Sequence, residues 1–432
     1  MLRATLLALC AAFFATAAFG DETCQSPYLP KLVGQEDFVY IWTLGISGLG
    51  DGSDKLVTIG ANPARADYGK VVASVSVGGR HEAHHAGFTD DRRYLWAGTL
   101  EDSQIYVFDV GSDPAKPKLV RTIADFVKKT GGIVGPHTFY PIPGRMLISG
   151  LSNAKDRGGR TGIAEYNNDG SHVRTYWMPA GAEYGYDARI NANLNRMLTS
   201  SFTGHNNYMR KLPELMNDAA AMKNFGSTMV VWDFHARKPL QQLAVPGAPL
   251  EIRWALNPIH EYAFTSTALT AKIWGVFRKP DGSFEAIAVA DIGDPAKLPL
   301  PVDMSLSADD STLFIDTFMD GKVRVYDVRE PRAPKQIYEK QIASQVNMVS
   351  QSWDGKRLYF TTSLLGNWDG TGHADDQALK AYTWDGKQLK PTFDVDFRAA
   401  GLGRPHHMHF GQLGFWASAT PSGGDAGEIA AK

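Results

Sequence analysis

The chain has 432 residues, 44 Lys and Arg against 46 Asp and Glu, 12 His and 2 Cys, with 44% hydrophobic and 21% charged residues. That hydrophobic content supports a sizeable core and excludes wholesale disorder, and a formal charge of −2 lacks the basic face that phosphate binding needs, so no nucleic-acid partner is expected. With 43 Gly and 23 Pro the chain reads as a turn-rich, all-β protein.

Residues 1–20 carry Arg3, an apolar run from Leu6 to Phe14 and small residues ending Ala18-Phe19-Gly20, the pattern of a secretory signal peptide cleaved after Gly20. No later stretch reaches the roughly 18 apolar residues of a membrane helix, so no membrane span is expected. Cleavage removes Cys10 and leaves Cys24 alone, which excludes an internal disulfide and a Cys-rich metal site. The expected mature protein is periplasmic, with residues 21–432 as a single domain.

Along that domain, pairs of short β-branched and aromatic runs recur, joined by turns. In chain order they are Arg92–Leu100 with Gln104–Val110, Arg145–Leu151 with Gly162–Tyr166, Asn195–Phe202 with Thr228–Phe234, His260–Ala268 with Ala271–Phe277, Ser311–Phe318 with Lys322–Val328, and Lys356–Ser363 with Lys380–Trp384. The anchors Tyr94, Met146, Met197, Tyr262, Leu313 and Leu358 lie 52, 51, 65, 51 and 45 residues apart, a period that suits one four-stranded propeller blade per repeat. N-terminal strands at Phe38–Leu44 and Lys70–Val77 are expected to combine with the C-terminal segment in a shared closing blade, making a seven-bladed β-propeller. Helical periodicity is confined to Leu212–Lys223, inside the longest insertion. The Trp-Asp dipeptides at Trp232, Trp353, Trp368 and Trp384 fall at different phases and read as strand ends and turns, not as a repeat signature.

Nine or ten residues before each anchor stands a polar residue: His85, His137, Asp187, Arg253, Asp303 and a position beside Met348 and Ser350. The seventh equivalent is Pro405-His406-His407-Met408-His409, ahead of Phe415-Trp416. The innermost strand of every blade lines the central channel, so one phase maps onto one ring. Six of the 12 His lie within His81–His85 and His406–His409, which the closing blade brings together. Histidines from separate strands suit copper or zinc, and spacing does not choose between them, although His-rich ligation in an exported protein favours copper. His81-Glu82-Ala83-His84-His85 matches the H-E-x-x-H zinc-protease pattern, which needs a helix; Gly78-Gly79 before it and Gly87 after it argue against one. His172, His235 and His260 read as surface residues, while His205 and His373 lie in polar insertions placed to cap one channel mouth.

Several segments resemble the selenium-binding protein family. Glu82-Ala83-His84-His85-Ala86-Gly87-Phe88 is similar to its E-x-H-H-S-G-W stretch, and Ile105–Gly111 with Pro114 and Pro117 to its I-Y-V-x-D-V-G-x-x-P-x-x-P. Gly185-Tyr186-Asp187, Leu250–Arg253, Tyr326-Asp327-Val328, Asp354–Tyr359 and Thr362-Ser363-Leu364 follow in order, so the likeness runs from Cys24-Gln25-Ser26-Pro27 to about Gly411. The resemblance implies a seven-bladed propeller that converts methanethiol, dioxygen and water to formaldehyde, hydrogen sulfide and hydrogen peroxide, with copper as the cofactor of exported bacterial members. By the family's pattern His84, His85, His137 and His406 are the expected metal ligands. Asp187, Glu251 and Asp303 are candidate proton acceptors or partners of the ligands' second ring nitrogens, and Arg253 is placed to neutralise them instead. The chain departs from the pattern at Tyr140, where the family has a second His, and at His409, where it has Arg. Its tail is Gly411–Ala417 in place of a Cys-containing one, and the cysteine credited with selenium binding, which would fall near Gly69, is absent.

Overall fold

The computed structural model describes residues 26–32 and 34–414, so the expected signal peptide, Cys24 and Phe415-Trp416 lie outside the described residues. Among the described residues, 28 strands form seven four-stranded antiparallel sheets. Every hydrophobic pair singled out in the sequence is the central hairpin of one blade. Ser311–Phe318 with Lys322–Val328, for example, becomes Thr312–Thr317 paired with Lys322–Asp327. Its turn ends at Gly321, where φ is 62° and a Cβ would collide with the Ala343 carbonyl. These strands are legible because they are buried on both faces and read as nearly continuous apolar runs.

The outermost strands are weaker signals. Lys118–Ile123 and Leu389–Asp396 show one edge to water and carry mixed, largely polar sequence. The innermost strands run from four residues, as in Ala188–Asn191, to ten in Ile133–Ile142, and they carry buried polar residues such as His85, His137, Arg253 and Asp303. The hydrophobic core lies between blades: Trp42, Phe88, Leu95 and Phe108 pack the closing blade against the first, and Trp96, Ile133, Phe139 and Tyr166 pack the first against the second.

The closing blade has the order Arg404–Gly411, Phe38–Leu44, Lys55–Gly60, Val71–Ser76 from the inside out. The C-terminal strand therefore supplies the channel wall and three N-terminal strands supply the rest; Lys55–Gly60 was not among the expected strands. Two hydrogen bonds tie this joint to the first blade: the Trp42 indole N–H donates to the Gly98 carbonyl at 2.9 Å, and Arg92 donates to the Phe410 carbonyl at 2.9 Å.

Two loops on the face where the inner strands begin are long: residues 200–227 and residues 362–377. The first holds short helices at His205–Tyr208 and Leu212–Met216 and a 3-10 turn at Ala221–Lys223. The helical periodicity of Leu212–Lys223 is thus broken in two, because Asp218 accepts from the amides of Ala220 and Ala221 and restarts the chain. The Trp-Asp dipeptides end strands at Trp232 and Trp384 and lie in loops at Trp353 and Trp368.

Candidate metal centre

Neighbouring residues of a regular strand point to opposite faces, so consecutive histidines should not meet. Here they do. In Ala83–Phe88, the pairing jumps from Ala83↔Thr99 to Ala86↔Ala97, setting His84 and His85 against one partner residue in a β-bulge. The same slip recurs at one level of the channel in four other inner strands. It encloses His137 between Pro136 and Phe139, Glu251 between Pro249 and Ile252, Asp303 between Pro301 and Met304, and His406 between Pro405 and His407. The first bulge is held by Asp54, which accepts from the amides of His81 and Ala83, both at 2.9 Å, while Glu82 between them takes a left-handed φ of 61°. The segment is a bulged strand, not the helix a zinc protease requires.

The imidazoles of His84 and His406 lie 4.0 Å apart, those of His84 and His85 4.8 Å, and those of His85 and His406 5.4 Å, measured between ring centres. One ligating nitrogen from each of these three lies within 4.8 Å of the other two. His137 stands beside this triad, 3.8 Å from the His85 ring and 5.0 Å from the His84 ring. All four side chains are buried, and Nδ1 of His84 and His85, Nε2 of His406 and both nitrogens of His137 lack a well-formed hydrogen bond. The Tyr186 carbonyl lies near the His137 ring without reaching hydrogen-bond geometry, and favours its charged form only weakly.

Burial pushes His137 and His406 down to about 3 and His84 and His85 well below the ordinary imidazole value, the last two helped by neighbouring imidazoles. All four are neutral at pH 7. His406 Nδ1 lies 2.9 Å from the Ser363 carbonyl, which only accepts, and 3.2 Å from the Asn347 side-chain amide; the shorter carbonyl contact places the proton on Nδ1 and leaves Nε2 as a lone pair. Leaving buried lone pairs unpaired costs roughly 1–3 kcal/mol each, and converging neutral imidazole nitrogens are what a borderline metal ion takes. The donor set fits copper or zinc.

Asp187, Glu251 and Asp303 are buried on the same channel, yet they hydrogen-bond to arginines and backbone amides rather than to the histidines. Arg189 donates to Asp187 at 2.7 Å and Glu251 at 2.9 Å, and Arg253 donates to Glu251 at 2.9 Å and Asp303 at 2.8 Å. Burial opposes ionisation of Glu251, but the two guanidiniums outweigh it and hold its carboxyl below the usual range. At Asp303 burial wins and raises the carboxyl to about 8. The neutralising role open to Arg253 is the one it takes, and Arg189, unmarked by the sequence reading, shares it. Asp187 retains an electrostatic pull on His137.

Above the histidines, beneath the two long loops, lies a cavity of about 30 Å³. Its floor includes His84, Tyr186 and Leu250, and its roof includes Leu215 and Trp368. That exceeds the roughly 10–15 Å³ an enclosed water needs, so a small molecule has room beside the imidazoles.

The comparisons with known proteins agree with this architecture. The family model described as 56kDa selenium binding protein matches residues 20–414. The chain belongs to the selenium-binding protein family. It is similar to the methanethiol oxidase of Ruegeria pomeroyi, 56% identical over 93% of this chain and 95% of that one, and to the methanethiol oxidase of a Hyphomicrobium species, 56% identical over 91% of each. Among solved structures, the hypothetical selenium-binding protein of Sulfolobus tokodaii superposes with a TM-score of 0.78 over 89% of this chain and 97% of that one, at 23% identity.

The departures from the family pattern have structural explanations. Tyr140 points away from the triad into the contact between the second and third blades, where its hydroxyl accepts from the Ile190 amide at 3.4 Å and its ring lies 5.5 Å from the Arg189 guanidinium. His409 donates through Nε2 to the Ala86 carbonyl at 2.9 Å, and His407 Nδ1 accepts from the Ala86 amide at 3.0 Å. The backbone N–H and C=O of Ala86 are thereby both clamped by the closing strand, immediately after His84 and His85. Sequence reasoning assigned neither of these roles, nor that of Asp54, because all three act across blades. Gly69 lies in a turn against Phe393, on the rim of the closing blade.

Proposed function

We propose that this protein is a methanethiol oxidase, converting methanethiol, dioxygen and water to formaldehyde, hydrogen sulfide and hydrogen peroxide, with one copper ion held by His84, His85 and His406 and with His137 as fourth ligand. Relatives at 56% identity over nearly the whole chain bear that name. The observation that carries the chemistry is the convergence of buried, neutral, unpartnered imidazole nitrogens at the floor of a small apolar cavity.

Copper held by His84, His85, His406 and His137 would supply Lewis acidity toward a thiol sulfur and a redox couple matched to dioxygen. The chain's own residues do the rest. The Ser363 carbonyl fixes the His406 tautomer, the bulge in Ala83–Phe88 brings His84 and His85 together, and the clamp on Ala86 keeps the first and closing blades in register. The roof excludes bulk water and charged solutes. A calcium-dependent hydrolase, the rival reading for a propeller with acidic channel residues, would need free carboxylates, and Asp187, Glu251 and Asp303 are committed to Arg189 and Arg253. Export to the periplasm is part of the proposal and predicts a mature N-terminus at Asp21.

The test is to purify the exported protein, measure its metals, and follow oxygen uptake on adding methanethiol. Copper near one per chain with uptake, sulfide and peroxide is expected. Copper without uptake identifies a carrier. Full copper occupancy in a folded His85→Ala/His137→Ala variant refutes the ligand set.

A further inference from the structure

The cap above the triad is built separately from the propeller. In residues 200–227, the Asn207 side-chain amide donates to Thr203 Oγ1 and to the Ala221 carbonyl, both at 2.9 Å, tying the two ends of the insertion into one unit. That unit is latched across the mouth to the loop of the sixth blade: Trp368 Nε1 donates to the Arg210 carbonyl at 3.0 Å and Asn367 Nδ2 to the Met209 carbonyl at 3.0 Å. Between them, Leu215 and Trp368, both buried, project into the same cavity as His84. Among the described residues, no Asp, Glu, Lys or Arg side chain lines that cavity.

We propose that Leu215 and Trp368 are the specificity-determining residues of the site, Leu215 setting the chain length of the thiol that reaches His84 and the Trp368 latch keeping the cap shut against charged thiols. This rests on the oxidase reading. Leu215 and Trp368 wall a narrow cavity of about 30 Å³ shared with His84, so a thiol longer than methanethiol presses on the Leu215 side chain or lifts the cap. An ammonium or carboxylate entering with its thiol finds no partner, and an unpaired charge in an apolar enclosure is strongly disfavoured.

The experiment compares kcat/KM of copper-loaded wild type, Leu215→Ala and Trp368→Phe for methanethiol, 1-propanethiol and cysteine. Leu215→Ala is expected to raise the propanethiol-to-methanethiol ratio at least about ten-fold, the scale one methylene commands in an apolar pocket, with cysteine still unreactive. Trp368→Phe keeps an aromatic wall but loses the bond to Arg210, and is expected to raise the cysteine rate and leave the propanethiol ratio within about three-fold of wild type. Should Leu215→Ala fail to fold, Leu215→Val must move the ratio in the same direction by a smaller factor. An unmoved ratio while methanethiol still turns over, or a cysteine gain in Leu215→Ala equal to the propanethiol gain, overturns the proposal. A wild type that consumes no oxygen with any thiol overturns the oxidase reading itself.

Discussion

Replacing His407 by alanine removes the acceptor of the Ala86 amide, and the structure sets the size of the effect. The bond is 3.0 Å long and buried, and leaving that N–H unpaired costs about 1–3 kcal/mol. The His407 ring also stacks on His85, 4.5 Å between centres at 11°, and deleting it leaves a cavity at the joint between first and closing blades worth about another 1–2 kcal/mol. His407→Ala should therefore destabilise the metal-free protein by roughly 2–5 kcal/mol. His407→Asn places its Oδ1 where Nδ1 stood and keeps the acceptor, so only the ring packing is lost and the cost should be about 2 kcal/mol less. Urea unfolding at pH 7 measures both variants, and amide exchange at Ala86 should speed up in alanine and not in asparagine. Because Ala86 follows the two adjacent ligands, copper affinity is expected to fall about ten-fold in His407→Ala. Equal stability of the two variants, within about 0.5 kcal/mol, would refute the clamp.

Three further outcomes follow from the buried groups. Arg253→Met leaves Glu251 and Asp303 without their common partner and should cost about 3–5 kcal/mol in urea unfolding, part of it recovered by adding Glu251→Gln. Burial lifts the Asp303 carboxyl from 3.8 to about 8, so between those values the native protein holds a proton that the unfolded chain has lost. Stability from this group falls as pH rises across that window, by up to about 1.4 kcal/mol per unit. Asp303→Asn lacks that dependence, so its stability relative to wild type should improve from pH 5 to pH 7.5; parallel profiles would contradict the raised carboxyl. Trp42→Phe forfeits the indole bond to the Gly98 carbonyl and should cost about 1–3 kcal/mol, with a lowered thermal midpoint as the readout.

Much of this molecule was legible without coordinates because a propeller is nearly one-dimensional. Each blade repeats one pattern, and the middle hairpins are apolar enough to stand out, as Tyr94–Thr99 with Ile105–Asp109 does. Lys55–Gly60 is less legible because the turn-rich segment at Gly45–Gly52 separates it from its hairpin partner Phe38–Leu44. The blade period marks His85, His137 and the segment Pro405–His409, and the family likeness adds His84 and singles out His406.

Local sequence therefore determined which residues would ring one level of the channel, since strand period and blade period are properties of the chain. Tertiary structure alone decided what that ring does. Five bulges break the register of the inner strands, and one of them brings the adjacent His84 and His85 together, an outcome of strand pairing that no local pattern encodes. Closure of the ring brings His406 within ring contact of His84 across more than 300 residues. Burial then separates two chemistries at that level. Imidazoles, which are neutral when desolvated, converge with lone pairs unspent, whereas carboxylates, which cannot be buried charged and alone, draw in Arg189 and Arg253 and are consumed by them.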